Sequence, residues 1–184
     1  MSILKFLDLL AIIRDDLDHI YYGCLLKNKK NFKKSIFKKL IVSISPEALI
    51  IYLFRLSRFF YLCKLELISI FLKNLILLLF NCDLSYKARI KGGLRFFHPF
   101  GIVIPDFCEI GVYTAIFSNV TLGNKYPYLN EGGEIIIGNY CILSTGSVLL
   151  KGCYIPDNFL VGANMVISKD LRVKNIKGCK KIKN

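Results

Sequence analysis

Residues 135–168 read IIIGNYCILSTGSVLLKGCYIPDNFLVGANMVIS. Counting in sixes from Ile137 meets Leu143, Leu149, Ile155, Val161 and Ile167, with Gly138 and Gly162 directly after two of them and Pro156 after a third. An α-helix repeats every 3.6 residues and a hairpin every two, so neither produces that period. One aliphatic per six residues, flanked by turn-forming residues, is the pattern of a parallel β-helix made of hexapeptides. Each hexapeptide supplies a short strand and a turn, three make a triangular coil, and stacked coils bury the aliphatic column as their core. The period recurs upstream at Ile104, Ile110, Ile116 and Leu122, with Gly111 and Gly123 in phase. A still earlier set, Ile90, Phe96 and Ile102, is offset by two, which predicts a short corner insertion near Gly101. Leu122 and Ile137 are fifteen apart, not a multiple of six, so a loop from about Asn124 to Glu134 is expected to project from the coils.

Before residue 83 the period is helical. Ile3, Phe6, Leu7, Leu10, Ile13, Leu17 and Ile20 make an amphipathic helix. Lys27 to Lys39 carries seven lysines in thirteen residues, interleaved with Phe32, Ile36 and Phe37. It suits either an anionic membrane surface or a solvated linker. Ser45-Pro46-Glu47 is good helix-start chemistry, and the apolar face of Leu49, Tyr52, Leu53 and Leu56 follows it. Leu65 to Phe80 is the most apolar run, yet Glu66, Lys73 and Asn74 interrupt it and it falls short of the ~20 apolar residues of a spanning helix. It is expected to be buried against the coils or a neighbouring subunit. The organisation is therefore α+β: a helical segment over 1–82, a β-helix with one projecting loop over 83–171, and a basic tail over 172–184, poorly ordered beyond Val173.

The 184 residues are 54% hydrophobic and carry a formal charge of +13, a combination that suits anionic ligands, a membrane surface or self-association. The seven cysteines are scattered and contain no Cys-x-x-Cys pair, so they read as reduced core residues. Asp15, Asp16 and Asp18 within the first apolar run exclude a signal peptide, which predicts a cytoplasmic location. No nucleic-acid motif accompanies the lysines.

Only two histidines are present. His19 lies in the first helix, where packing explains it. His98, in LRFFHPFGIV over 94–103, falls on the irregularity of the hexapeptide phase, where a repeat can present a side chain outward. Imidazole has the pKa for general-base work near neutrality. Asp83 lies fifteen residues earlier, close to one eighteen-residue coil, so a corner insertion between them could bring the carboxylate to the imidazole. A metal-dependent β-helix enzyme needs three histidines, and with His98 alone in the coils no metal is expected.

Residues 83–171 resemble the left-handed β-helix, hexapeptide-repeat acyltransferases. The resemblance is to the serine acetyltransferase branch and its relatives that acetylate capsular and colanic-acid polysaccharides. The residues that carry it are Asp83, His98-Pro99-Phe100-Gly101-Ile102-Val103, Asn119-Val120-Thr121-Leu122-Gly123-Asn124, and Val161 to Asp170. It implies acetyl transfer from acetyl-CoA to a hydroxyl, with His98 as base, Asp83 as its partner, and a backbone N–H near Gly123 and Asn124 for the oxyanion. It also implies a homotrimer, or a multiple of it, with CoA between subunits near Thr145, Gly146, Ala163 and Lys169.

The second histidine of the serine enzymes is matched here by about Glu134, and the helical leader is shorter than theirs. Both features point to a sugar hydroxyl as acceptor, bound by Glu134, Tyr126, Tyr128 and Asn130, with serine O-acetylation in cysteine synthesis as the alternative. A lipid-linked acceptor would bring the chain to the inner membrane face.

Overall fold

A computed structural model describes residues 2–22, 42–124, 133–168 and 179–182. Helix α1 spans Ser2–Tyr22, α2 Pro46–Leu62 and α3 Glu66–Phe80. Helix α2 starts where its sequence says it should: the Ser45 hydroxyl accepts the Ala48 N–H, Pro46 needs no donor partner in the first turn, and Glu47 complements the helix dipole. Helix α3 stops at Asn81, which takes a left-handed conformation (φ 52°).

The strands are two or three residues long. They are β1 Asp83–Leu84, β2 Arg89–Ile90, β3 Arg95–Phe97, β4 Val103–Ile104, β5 Cys108–Ile110, β6 Ala115–Phe117 and β7 Thr121–Gly123. Beyond the 124–134 loop follow β8 Ile135–Ile137, β9 Ile142–Leu143, β10 Val148–Leu150, β11 Tyr154–Ile155, β12 Phe159–Val161 and β13 Val166–Ile167. Every third strand joins the same sheet. The first face is ordered β1-β4-β7-β10-β13, the second β2-β5-β8-β11 and the third β3-β6-β9-β12, all parallel.

The hexad aliphatics form three buried columns. Leu84, Ile104, Leu122, Leu149 and Ile167 stack behind the first face, Ile90, Ile110, Ile137 and Ile155 behind the second, and Phe96, Ile116, Leu143 and Val161 behind the third. A second buried position precedes all but Val161 and Ile167 of these by two residues. Cys82, Ala88, Cys108, Thr114, Cys141, Ser147 and Cys153 fill it with small side chains, and Leu94, Ile102, Val120 and Ile135 with larger ones. Four of the seven cysteines are thus corner fillers. Burial raises the Cys141 thiol to about 11 and pushes Cys108 up as well, so neither is a nucleophile.

Register locates both irregularities. Asp83 faces Val103 and Arg95 faces Ala115, pairs twenty residues apart, whereas Val103 faces Thr121, eighteen apart. Two residues are therefore inserted between Phe97 and Val103. Ile104, not Ile102, continues the column of Leu84, although Ile102 is also buried. Thr121 faces Val148, twenty-seven apart, so nine residues leave the coil in the 124–134 loop. Of that loop, residues 125–132 lie outside the described residues, as does the lysine-rich segment 27–39.

One expectation fails. The tail returns at β14, Cys179–Lys181, which pairs antiparallel with β12 and places Lys181 opposite Phe159, so order does not end at Val173. Helix α3 packs Ser69 and Ile76 inward, while Leu67, Phe71 and Leu78 are 84%, 65% and 81% exposed on the opposite side, a face that the coils of the same chain do not cover. Among the described residues no helix is long and apolar enough to cross a membrane.

Among the described residues, one buried ion pair anchors the helices to the coils. Arg55 on α2 donates Nε and Nη2 to the Asp16 carboxylate of α1, at 2.8 and 3.1 Å. Its Nη1 and Nη2 also reach the carbonyls of Ile90 and Lys91 at 2.7 Å each. Asp16 completes the joint by accepting the Leu94 N–H at 2.7 Å.

Candidate functional site

The corner between the third and first faces is built from left-handed residues stacked coil on coil: Asn81, Gly101, Asn119, Gly146 and Asn164. A backbone ladder runs along it, Gly101 N to Asn81 O, Asn119 N to Phe100 O, Gly146 N to Ser118 O and Asn164 N to Thr145 O, each 2.8–3.2 Å. The ladder places Thr145 and Ala163 on the same edge as Phe100, with Gly146 between them in the stack. This edge holds three of the four residues expected at CoA. Lys169 lies outside the described residues.

At the foot of that edge stands His98. It has φ +52° and belongs to neither regular left-handed column, the second being Gly93, Tyr113, Tyr140 and Asn158. The two-residue insertion is what forces a non-glycine residue into this conformation, and a strained residue held outside the repeat is a functional candidate on physical grounds. His98 lines an open cleft of ≈ 620 Å³ with Phe80, Arg95, Glu47, Pro99 and Phe100. The cleft lies between the ends of α2 and α3 and the first coil.

Asp83 begins β1, and its N–H donates to Ile102 O at 2.8 Å, so the insertion does fold back beside it. Its carboxylate, half-exposed at 48%, is held by Lys73 of α3 at 2.8 Å, and among the described residues no hydrogen bond joins it to His98. Gly123 ends β7, two strands along the first face from β1, and its carbonyl accepts the Lys151 N–H at 2.8 Å. Asn124 follows it.

Glu134 is not at this site. It precedes β8 on the second face, and its carboxylate is ion-paired with Arg89, which also reaches Glu109 at 3.2 Å. Tyr126, Tyr128 and Asn130 lie outside the described residues. Sequence reasoning missed Lys73, Arg95 and Glu47 because each belongs to an element whose neighbours are set by packing alone. Arg95 stacks over Phe97, 3.9 Å from guanidinium carbon to ring centroid, and Phe97 stacks on Phe117 at 4.5 Å.

No protein-family model matches the chain. It is 26% identical over 117 residues to a serine acetyltransferase of Synechococcus elongatus, covering 64% of this chain and 48% of that protein. It is 27% identical over 118 residues to the serine acetyltransferase of Helicobacter pylori strain 26695, covering 64% of this chain and 68% of that one. The chain thus spans between about half and two thirds of these relatives. Among solved structures, Entamoeba histolytica serine acetyltransferase 1 in complex with L-cysteine superposes with a TM-score of 0.75 at 22% identity, over 92% of this chain and 62% of that one. A serine acetyltransferase in complex with CoA gives 0.74 at 16% identity, over 92% and 66%. The likeness establishes the fold, a left-handed parallel β-helix behind a helical leader.

These relatives overturn the expected sugar acceptor, since they are named serine acetyltransferases and not polysaccharide-modifying enzymes. Glu134, one of the two features expected to favour a sugar, is ion-paired with Arg89 on the second face, so its charge is compensated within the coil.

Proposed function

We propose that the chain is an acetyl-CoA-dependent serine O-acetyltransferase. The observation that carries the reading is the two-residue insertion, which holds His98 in a left-handed conformation over an open cleft. That cleft sits at the foot of the edge bearing Thr145 and Ala163, in a fold shared with serine acetyltransferases.

In this reading His98 takes the proton from the serine hydroxyl as its oxygen attacks the thioester carbonyl of acetyl-CoA. A carbon–oxygen bond forms, and a backbone N–H near Gly123 and Asn124 stabilises the tetrahedral oxyanion. As the carbon–sulfur bond breaks, the imidazolium returns the proton to the CoA sulfur, leaving O-acetylserine and CoA. Asp83 stabilises the imidazolium through the field of its carboxylate, tempered by Lys73. CoA lies along Thr145, Gly146 and Ala163, and the positive charge of Lys169 and the tail suits its phosphates. A homotrimer, or a multiple of it, brings a second subunit against that edge, and the exposed face of α3 is covered within the assembly and not by a bilayer.

The test is L-serine-dependent release of CoA thiol by the purified chain, with mass spectrometry of the product. Transfer to L-serine supports the reading. CoA release that L-serine does not stimulate above hydrolysis removes it.

A further inference from the structure

Among the described residues, Arg95 uses few of its guanidinium hydrogen-bond donors. It is half-buried, its side chain only 14% exposed, and its Nε is fully buried without a hydrogen-bond partner. The Glu47 carboxylate stands 3.5 Å from that nitrogen, within ion-pair reach but outside hydrogen-bonding geometry. Nη1 makes one long contact, 3.4 Å to the His19 carbonyl, and among the described residues Nη2 has no hydrogen bond at all. A guanidinium offers five donors in a planar fork, and leaving them unused in a half-buried position is unfavourable. The stack on Phe97 fixes the plane of the fork. Both Arg95 and Glu47 line the cleft that His98 lines.

We propose that Arg95 and Glu47 form the acceptor subsite and bind the two charged ends of an α-amino acid. The carboxylate docks on the free edge of the Arg95 fork, which matches its geometry bidentately. The ammonium docks on Glu47, whose carboxylate is 24% exposed in the cleft. Opposite charges side by side suit a zwitterion, whose ammonium and carboxylate flank a single carbon. A neutral sugar would leave both groups unsatisfied. The capped start of α2 adds its dipole to the wall against which the carboxylate would lie. This assignment rests on the serine reading and specifies which residues select the amino acid.

The test uses the full chain and the variants Arg95→Gln, Arg95→Lys and Glu47→Gln. With L-serine as acceptor, Arg95→Gln is expected to raise KM about 10- to 100-fold, the size of a lost charge-assisted pair. KM for acetyl-CoA should change less than about twofold, since CoA has no contact with the fork in this assignment. Arg95→Lys, which keeps the cation but not the fork, should fall between. Glu47→Gln should raise KM for L-serine and not for 3-hydroxypropionate, which lacks the ammonium. Unchanged KM for L-serine in a folded Arg95→Gln overturns the subsite and leaves serine acetylation standing. If that variant does not fold, Arg95→Lys and Glu47→Gln decide by the same criterion. If the wild-type chain acetylates no serine, calorimetric titration with L-serine decides the subsite separately. Binding to wild type that Arg95→Gln abolishes supports it, and no binding, or equal binding to both, overturns it.

Discussion

The ammonium of Lys73 lies 2.8 Å from the carboxylate of Asp83, so the last helix of the leader grips the first residue of the first coil. The pair is partly exposed on both sides, 32% and 48%, and such a bridge contributes at most about 1 kcal/mol to stability. Its consequence is chemical, because the carboxylate assigned to His98 already has a cationic neighbour. Lys73→Met is expected to lower kcat less than about tenfold, whereas Asp83→Ala should lower it by about 10²-fold or more, the range of a lost imidazolium partner. Steady-state thiol release measures both. Equal losses would show that Lys73 is needed for the reaction in its own right.

His98→Ala should reduce turnover about 10²- to 10⁴-fold while leaving CoA affinity, read by calorimetry, within about threefold. Deletion of His98 and Pro99 together restores an eighteen-residue coil and should give a folded, inactive chain. A folded deletion variant that retained turnover would remove the insertion from the mechanism.

The joint between leader and coils predicts a stability effect unrelated to chemistry. Asp16→Ala leaves the Arg55 guanidinium buried and half-paired, and should cost about 3–5 kcal/mol in urea unfolding. The double variant Asp16→Leu with Arg55→Leu should be less destabilised than Asp16→Ala alone. A loss under about 1 kcal/mol for Asp16→Ala would mean that solvent reaches the pair.

His19 supplies a pH dependence. Burial is the main cause of its lowered pKa, opposed by the hydrogen bond its Nδ1 makes to the Gly93 carbonyl and assisted by the Arg95 charge. The folded state therefore resists protonation more than the unfolded state does. Its contribution is intact above the unfolded value of about 6.5 and is lost as the pH falls below it toward the folded pKa. Chemical denaturation at pH 7.5 and 5.5 should show lower stability at the acidic value, and His19→Gln should flatten that difference. An unchanged slope in the variant would assign it to other groups.

Much of the fold was legible because a six-residue period writes the interior directly: each hexad aliphatic from Ile104 to Ile167 is buried at a strand. The corner insertion was visible as a phase slip, but Ile102 masked its position, because a residue two before the column is also inward-facing. Lys73 against Asp83, Arg95 against Glu47 and Arg89 against Glu134 were not legible. Each joins side chains ten to forty-eight positions apart whose meeting depends on helix docking or coil register, and neither leaves a period. The misreading of Glu134 shows the cost: a charge without its neighbour suggests the wrong acceptor.

The left-handed corner alternates strictly, Asn81, Gly101, Asn119, Gly146, Asn164, because each glycine lies under the next asparagine's amide. A Cβ on Gly101 would collide with Asn119 Oδ1, and one on Gly146 with Asn164 Oδ1. Removing one coil would put asparagine beneath asparagine, and copying one would do the same or leave a glycine uncovered. At this corner an asparagine side chain fits only where the coil beneath it has none, so the unit that repeats in packing is a pair of turns about thirty-six residues long, twice the eighteen-residue coil.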